Sequence, residues 1–130
     1  MKQFQLDIIT PISIETYENV SYLRIPSLDG LTGVQSRHAT AIIALDIGEI
    51  KITTNNNEKI YSTSGGFADI KPEGVQLLLE TIESKTSIDK DRAKKALERA
   101  SKHLKNPEMN IPRAEIALRK AKNRLKILNK

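Results

Sequence analysis

Acid–base, nucleophilic and metal chemistry is built mostly from His, Cys and clustered carboxylates, and this 130-residue sequence offers little of the first two. Its two histidines, His38 and His103, stand far apart, and cysteine is absent. A thiolate nucleophile, a Cys-based zinc site and a disulfide framework are excluded, and two lone imidazoles leave little for a triad. No P-loop occurs, so nucleotide hydrolysis by this chain is not expected. Gly30 with Gly33, and Gly65 with Gly66, read as turn or bulge positions. His38 reads as a structural hydrogen-bonding residue, since no partner constellation accompanies it. The chain is expected to be non-catalytic.

Charge carries more information. Residues 1–84 hold six Lys/Arg against eleven Asp/Glu, a net charge of −5, whereas residues 85–130 hold fifteen against five, a net charge of +10. An acidic front and a basic rear imply separate tasks, with the rear seeking an anionic partner. Nucleic acid, an acidic protein surface, a nucleotide and an anionic membrane all satisfy that requirement. Against nucleic acid stand the acidic front and the five aromatics (three Tyr, two Phe, no Trp), too few to build a base-stacking platform. A nucleic-acid-binding or other basic-helix interaction protein is nonetheless the alternative reading. No apolar run approaches the length needed to cross a bilayer and no signal peptide is evident, so a soluble intracellular protein is expected.

The elements that must position these residues fall into two grammars. Up to residue 84 the pattern is short strands and turns: Phe4, Leu6 and Ile8 alternate, Val20–Ile25 is closed by Pro26, and Asp29-Gly30 with Gly33 marks a loop over 28–39. Ala41–Leu45 reads as a strand buried on both faces. Alternation resumes through Ile50 and Ile52 to the Asn55–Asn57 turn, and Phe67–Ile70 and Val75–Leu79 close the series. Such spacing favours a β-sandwich or barrel.

From about residue 87 the period becomes helical. Ala93, Ala96, Leu97, Ala100 and Leu104 form one stripe, with Asp89 as N-cap and Ile88 before it as a hydrophobic staple. Asn106-Pro107 ends that helix, and Pro112 opens a second in which Ala114, Ala117, Leu118, Ala121, Leu125 and Leu128 recur. The expected fold is an N-terminal β-sandwich over 1–84 and an antiparallel α-helical hairpin over 87–129. Alanine buries little area, so the hairpin should be marginal alone and a candidate moving part. Some of its charge is a solvated face with pairs such as Lys94–Glu98 and Glu115–Arg119.

Three local signatures, in register, resemble the epsilon subunit of F-type ATP synthases. Gly30-Leu31-Thr32-Gly33-Val34-Gln35-Ser36-Arg37-His38-Ala39 is similar to that family's G-x-x-G-[IV]-L-P-x-H-A-P loop. Gly65-Gly66-Phe67 opens a strand as it does there. Ile88-Asp89-Lys90-Asp91-Arg92-Ala93 matches the I-D-x-x-R-A helix start, with Arg113–Leu118 and Asn123-Arg124-Leu125 in the second helix. The first loop departs at Gln35, Ser36 and Thr40, where Leu, Pro and Pro are usual, and at Leu31, often acidic in the family.

The resemblance implies a non-catalytic central-stalk subunit that links the gamma shaft to the c-ring and restrains ATP hydrolysis through its C-terminal helices. Gly30, Leu31, Gly33 and His38 would lie at the c-ring and gamma interface, and the helices would face the alpha and beta catalytic subunits. No cofactor is required by this reading, with ATP as a regulatory ligand in some bacterial members. Carried over, its positions are Glu83, Ile88, Asp89, Arg92, Arg99, Lys120 and Arg124, and Lys120 stands where tight binders usually have Arg. No metal, nucleic acid or direct membrane insertion is implied. The chain would sit peripherally on the cytoplasmic face of a bacterial plasma membrane or the stromal face of a thylakoid.

Overall fold

A computed structural model describes residues 3–35, 40–55, 57–104 and 111–128. The chain divides into two compact units, Met1–Ser84 and Lys85–Lys130. In the first, the described residues form nine strands in one continuously hydrogen-bonded sheet that folds over itself into a β-sandwich: β1 (Phe4–Thr10), β2 (Ser13–Ser27), β3 (Gly30–Val34), β4 (Ala41–Leu45), β5 (Gly48–Thr54), β6 (Asn57–Thr63), β7 (Gly66–Lys71), β8 (Gly74–Leu79) and β9 (Ile82–Ser84). One layer runs β4-β7-β8-β1 and then the first half of β2. The other runs β3, the second half of β2, β5, β6 and β9. All pairings are antiparallel except β1 with β8, whose partners are far apart in sequence.

The core lies between the layers and is aliphatic, as the aromatic scarcity dictates. Leu6, Ile8 and Leu77 from one layer meet Leu23, Ile25, Ile50 and Ile52 from the other, all fully buried. Each such side chain contributes about 1.5–3 kcal/mol relative to exposure. At the rim the Tyr17 and Tyr61 hydroxyls share a hydrogen bond that ties β2 to β6, their rings edge-on at 6.4 Å. The Lys59 ammonium sits 5.4 Å from the Tyr17 ring centre. Burial, then the Tyr61 contact, raises the Tyr17 phenol above its ordinary range. Its protonated form is thus the one the fold favours, and that contribution is lost as pH climbs past the ordinary phenol range.

Three strand readings need correction. Gly30–Val34 is a strand paired with β2 through Leu23↔Val34 to Ser27↔Gly30, not a loop. Gly30 has φ 125°, but Gly33 has no positive φ. At Gly33 a Cβ would lie 2.7 Å from the Tyr22 hydroxyl oxygen and 2.9 Å from its ring, so a larger residue there would push the half-buried Tyr22 side chain aside. Ala41–Leu45 is not buried on both faces, since Ile42 is 75% exposed on an outer surface. An antiparallel layer commonly leaves one face outward. Finally, β2 runs through Pro26 instead of stopping there, and the Pro26 carbonyl accepts the Asp46 amide at 2.8 Å.

The second unit opens with a 3-10 turn (Lys85–Ser87) and contains α1 (Lys90–Leu104) and α2 (Ile111–Leu128), which pack together. Ala93 and Ala100 on α1, and Ala114 and Ala121 on α2, are buried at seven-residue spacing. Ala117 is exposed, contrary to the stripe read for it, and Ile127, outside that stripe, is fully buried. The segment between the helices, including Asn106-Pro107, lies outside the described residues.

Candidate functional site

Asp89 does what its place before the first helix demands. Its Oδ1 accepts the Arg92 backbone N–H at 3.0 Å, and its carbonyl accepts that of Ala93 at 3.0 Å. The cap satisfies donors that the first turn otherwise leaves orphaned. Ile88 beside it is 7% exposed, consistent with the staple.

The cap fixes where α1 begins and hence which way its arginines point. Arg92 and Arg99 are both exposed and two turns apart on α1, so they share a face. Lys120 and Arg124 are one turn apart on α2, and both are half-buried. The two pairs of cations thus lie on two helices that pack together. Glu83 lies on β9 in the first unit.

The tip formed by β2, β3 and their turn is the second candidate. Ser27 Oγ donates to the Gly30 carbonyl at 2.6 Å, and Thr32 Oγ1 donates to Ser27 Oγ at 3.1 Å. These bonds close a two-residue connection that displays Leu28 and Leu31, 66% and 64% exposed. Gly30, Leu31 and Gly33 are therefore brought together on one short strand. His38 lies outside the described residues.

A third surface escaped the sequence. Strand register aligns Ala44 with Phe67, Phe67 with Leu78, Leu78 with Ile9, and Ile9 with Ile14. Opposed residues share a face, so these five form one apolar row across β4, β7, β8, β1 and β2, about 19 Å wide at the usual strand spacing. The row is on the outside, with Phe67 55%, Leu78 43% and Ile14 72% exposed. The sole hint in the sequence was the apolar Phe67, Leu78 and Ile9 at positions where alternation calls for polar residues.

Among the described residues no group of His, Cys, Asp and Glu is arranged to hold a metal ion. No described helix is long and apolar enough to cross a membrane.

Comparison with known proteins follows the division into units. A family model described as the beta-sandwich domain of the ATP synthase Delta/Epsilon chain matches residues 3–85, and one for that chain's long alpha-helix domain matches residues 86–129. The sequence is 34% identical over 131 residues to the ATP synthase epsilon chain of Bacillus pumilus, covering all of both chains. It is 36% identical over 127 residues to that of Desulforamulus reducens, covering 96% of each. Among solved structures, a chain of the Euglena gracilis mitochondrial ATP synthase superposes with a TM-score of 0.85 at 23% identity, over 93% of this chain and 78% of that one. A chain of the Tetrahymena thermophila mitochondrial ATP synthase central stalk and c-ring gives 0.60 at 12% identity, over 98% and 95%. Both share the fold.

Proposed function

The chain belongs to the epsilon family of F-type ATP synthases, as a non-catalytic subunit of that complex, and from this premise we propose that its two units divide coupling from regulation. The sandwich joins the gamma shaft to the c-ring, with Gly30, Leu31, Gly33 and His38 at that junction. The hairpin restrains ATP hydrolysis by placing its cations against acidic segments of the alpha and beta catalytic subunits. The protein is held at the membrane surface through the ring, without crossing the bilayer itself.

The observation that carries this reading is the split of charge along the unit boundary: an acidic sandwich with its own closed core, and a cationic hairpin whose buried seam is largely alanine. A weakly apolar seam makes the hairpin easy to rearrange, and its charge gives it somewhere to go. Deleting residues 87–130 is expected to raise ATP hydrolysis by the assembled enzyme about fivefold or more, the range of ordinary coupling energies. ATP synthesis coupling should persist. Restraint by the intact chain should weaken as salt is added, because exposed charges are screened. Unchanged hydrolysis at all ATP concentrations would refute the regulatory half of the reading.

For ATP as a regulatory ligand we propose Glu83, Ile88, Asp89, Arg92, Arg99, Lys120 and Arg124. The Arg and Lys side chains neutralise phosphate, and groups near 83–89 meet the base. A ligand that binds only the folded hairpin stabilises it by about 2.7 kcal/mol at a hundredfold excess over Kd. Calorimetry on the isolated subunit should show Arg92→Ala and Arg124→Ala each weakening binding by about tenfold or more, the loss of a charged hydrogen bond. Lys120→Arg should tighten it by restoring a planar fork, while Arg119→Ala changes it less. Absence of heat at millimolar ATP would leave Asp89 as a helix cap and the arginines as surface charge.

A further inference from the structure

We propose that Ser62 is a positioning residue for the base end of the nucleotide site, its hydroxyl donating to the Glu83 carboxylate and aiming that carboxylate at an amino group of the base. This deepens the nucleotide reading above and rests on it, since that reading brings groups near 83–89 to the base. Strand register sets the geometry: β5, β6 and β9 pair Glu49 with Ser62 and Ser62 with Glu83. Opposed residues share a face and neighbouring strands stand about 4.8 Å apart, so the three form a row with the serine between two carboxylates. Ile50, Tyr61 and Ile82, beside them along the strands, turn to the core, which puts the row on the other side of the layer. Even there Ser62 is only 5% exposed and Glu49 9%.

A serine has one O–H to give, and the side chains that flank it across the sheet are carboxylates, which only accept. It can serve one of them at a time. Glu49 is already held by Arg24 Nη2 at 2.7 Å, a charge-assisted bond stronger than a hydroxyl supplies. Lys51, the other cation turned to this side among the described residues, lies 3.2 Å from a Glu58 oxygen. Donation from Ser62 to Glu83 is the arrangement that gives each carboxylate of the row a donor.

Glu83 needs such a guide. It sits on β9, a strand of three residues, and its long side chain loses rotamer freedom when it is fixed on a ligand. A bond from Ser62 to one carboxylate oxygen meets part of that cost before the nucleotide arrives and leaves the other oxygen to accept from the base. A carboxylate accepts and does not donate, so it suits the exocyclic amino group of adenine and rejects the carbonyl that replaces it in hypoxanthine. Ser62 thereby sharpens the choice of base without touching the nucleotide.

Calorimetry of the full chain with ATP and with inosine triphosphate tests this. The wild-type chain should prefer ATP. Ser62→Ala should weaken ATP binding about three- to tenfold, the contribution of one hydrogen bond, and leave inosine triphosphate unchanged, so the preference falls by the same factor. In a Glu83→Ala background the same substitution should cost nothing further, because a positioning residue acts only through the group it positions. Ser62→Cys, close in volume and a weaker donor, should fall between serine and alanine. Ser64→Ala, whose hydroxyl bonds the Thr81 hydroxyl at 2.7 Å outside the row, should leave both affinities unchanged. Equal losses for the two nucleotides, or losses that add in the double variant, would mean that Ser62 only supports the sheet, and overturn the proposal. Wild-type ATP affinity in Ser62→Ala overturns it too. A wild-type chain that binds both nucleotides equally overturns the proposal while sparing the nucleotide reading, and one that binds neither overturns both.

Discussion

Gly66→Ala is expected to remove a large share of the sandwich's stability. Gly66 has φ 151°, in the region that L side chains rarely adopt. A Cβ there would collide with the Leu78 carbonyl oxygen and lie 2.9 Å from Leu79 Cα and 3.0 Å from Leu78 carbonyl carbon. Every one of these atoms is backbone, so no rotamer change relieves the clash. Relief requires β7 and β8 to separate at the Gly66↔Leu79 end of their ladder. Overpacking costs about 1–3 kcal/mol and backbone strain about as much again, so about 3–5 kcal/mol is lost. Natural domains hold about 5–15 kcal/mol in total. Urea titration should show the midpoint falling by about a fifth or more, or the protein should appear only in the insoluble fraction. A midpoint unchanged from wild type would show that the β7–β8 junction yields easily.

The next largest effect is expected at Glu49. This buried carboxylate on β5 accepts from Arg24 Nη2 on β2 at 2.7 Å, with side-chain exposures of 10% and 27%. Arg24 Nε is already buried without a hydrogen-bond partner. Glu49→Ala strips the guanidinium of its carboxylate while leaving it in place. Breaking a fully buried pair costs about 3–5 kcal/mol, and the partial access of Arg24 to water reduces this to about 2–3 kcal/mol. The double replacement Arg24→Met with Glu49→Leu removes both charges and should recover most of that loss. Chemical denaturation of the three proteins decides it: a double variant no more stable than Glu49→Ala would mean the cost lies in packing.

Periodicity revealed those parts of the fold that are local. Phe4, Leu6 and Ile8 alternate because a half-buried strand has a period of two, and all three are buried. Asp89 announced itself as a cap by its place before a helical stripe, and its carboxylate makes the cap bond. Pro26 misled because a proline within a run ordinarily ends a strand, whereas here its carbonyl keeps a pairing bond to Asp46. Ile42 misled because an apolar run of five looks the same whether its outer face is covered or open.

The apolar row was invisible for a different reason. Its members come from five strands, and what unites them is register, including the parallel pairing of Ile9 with Leu78. No window of sequence contains that information. The helical cations present the converse case: Arg92, Arg99, Lys120 and Arg124 were singled out only through likeness to a family, since their spacing alone is that of any solvated helix.

The long second strand has a mechanical consequence. β2 spans fifteen residues, pairing with β1 through Thr16 and Tyr17 and with β5 through Leu23 and Arg24. Two layers joined only by loops can slide on their side-chain packing. Here sliding must stretch a covalent backbone and break ladders on both sides at once. Under the proposed function the sandwich is turned by a shaft and bears on a ring, a load that is shear, and β2 is the member that would carry it. Torsional compliance then resides at the edges of the sandwich, in elements such as the two-residue turn carrying Leu28, which yield before the paired strands do.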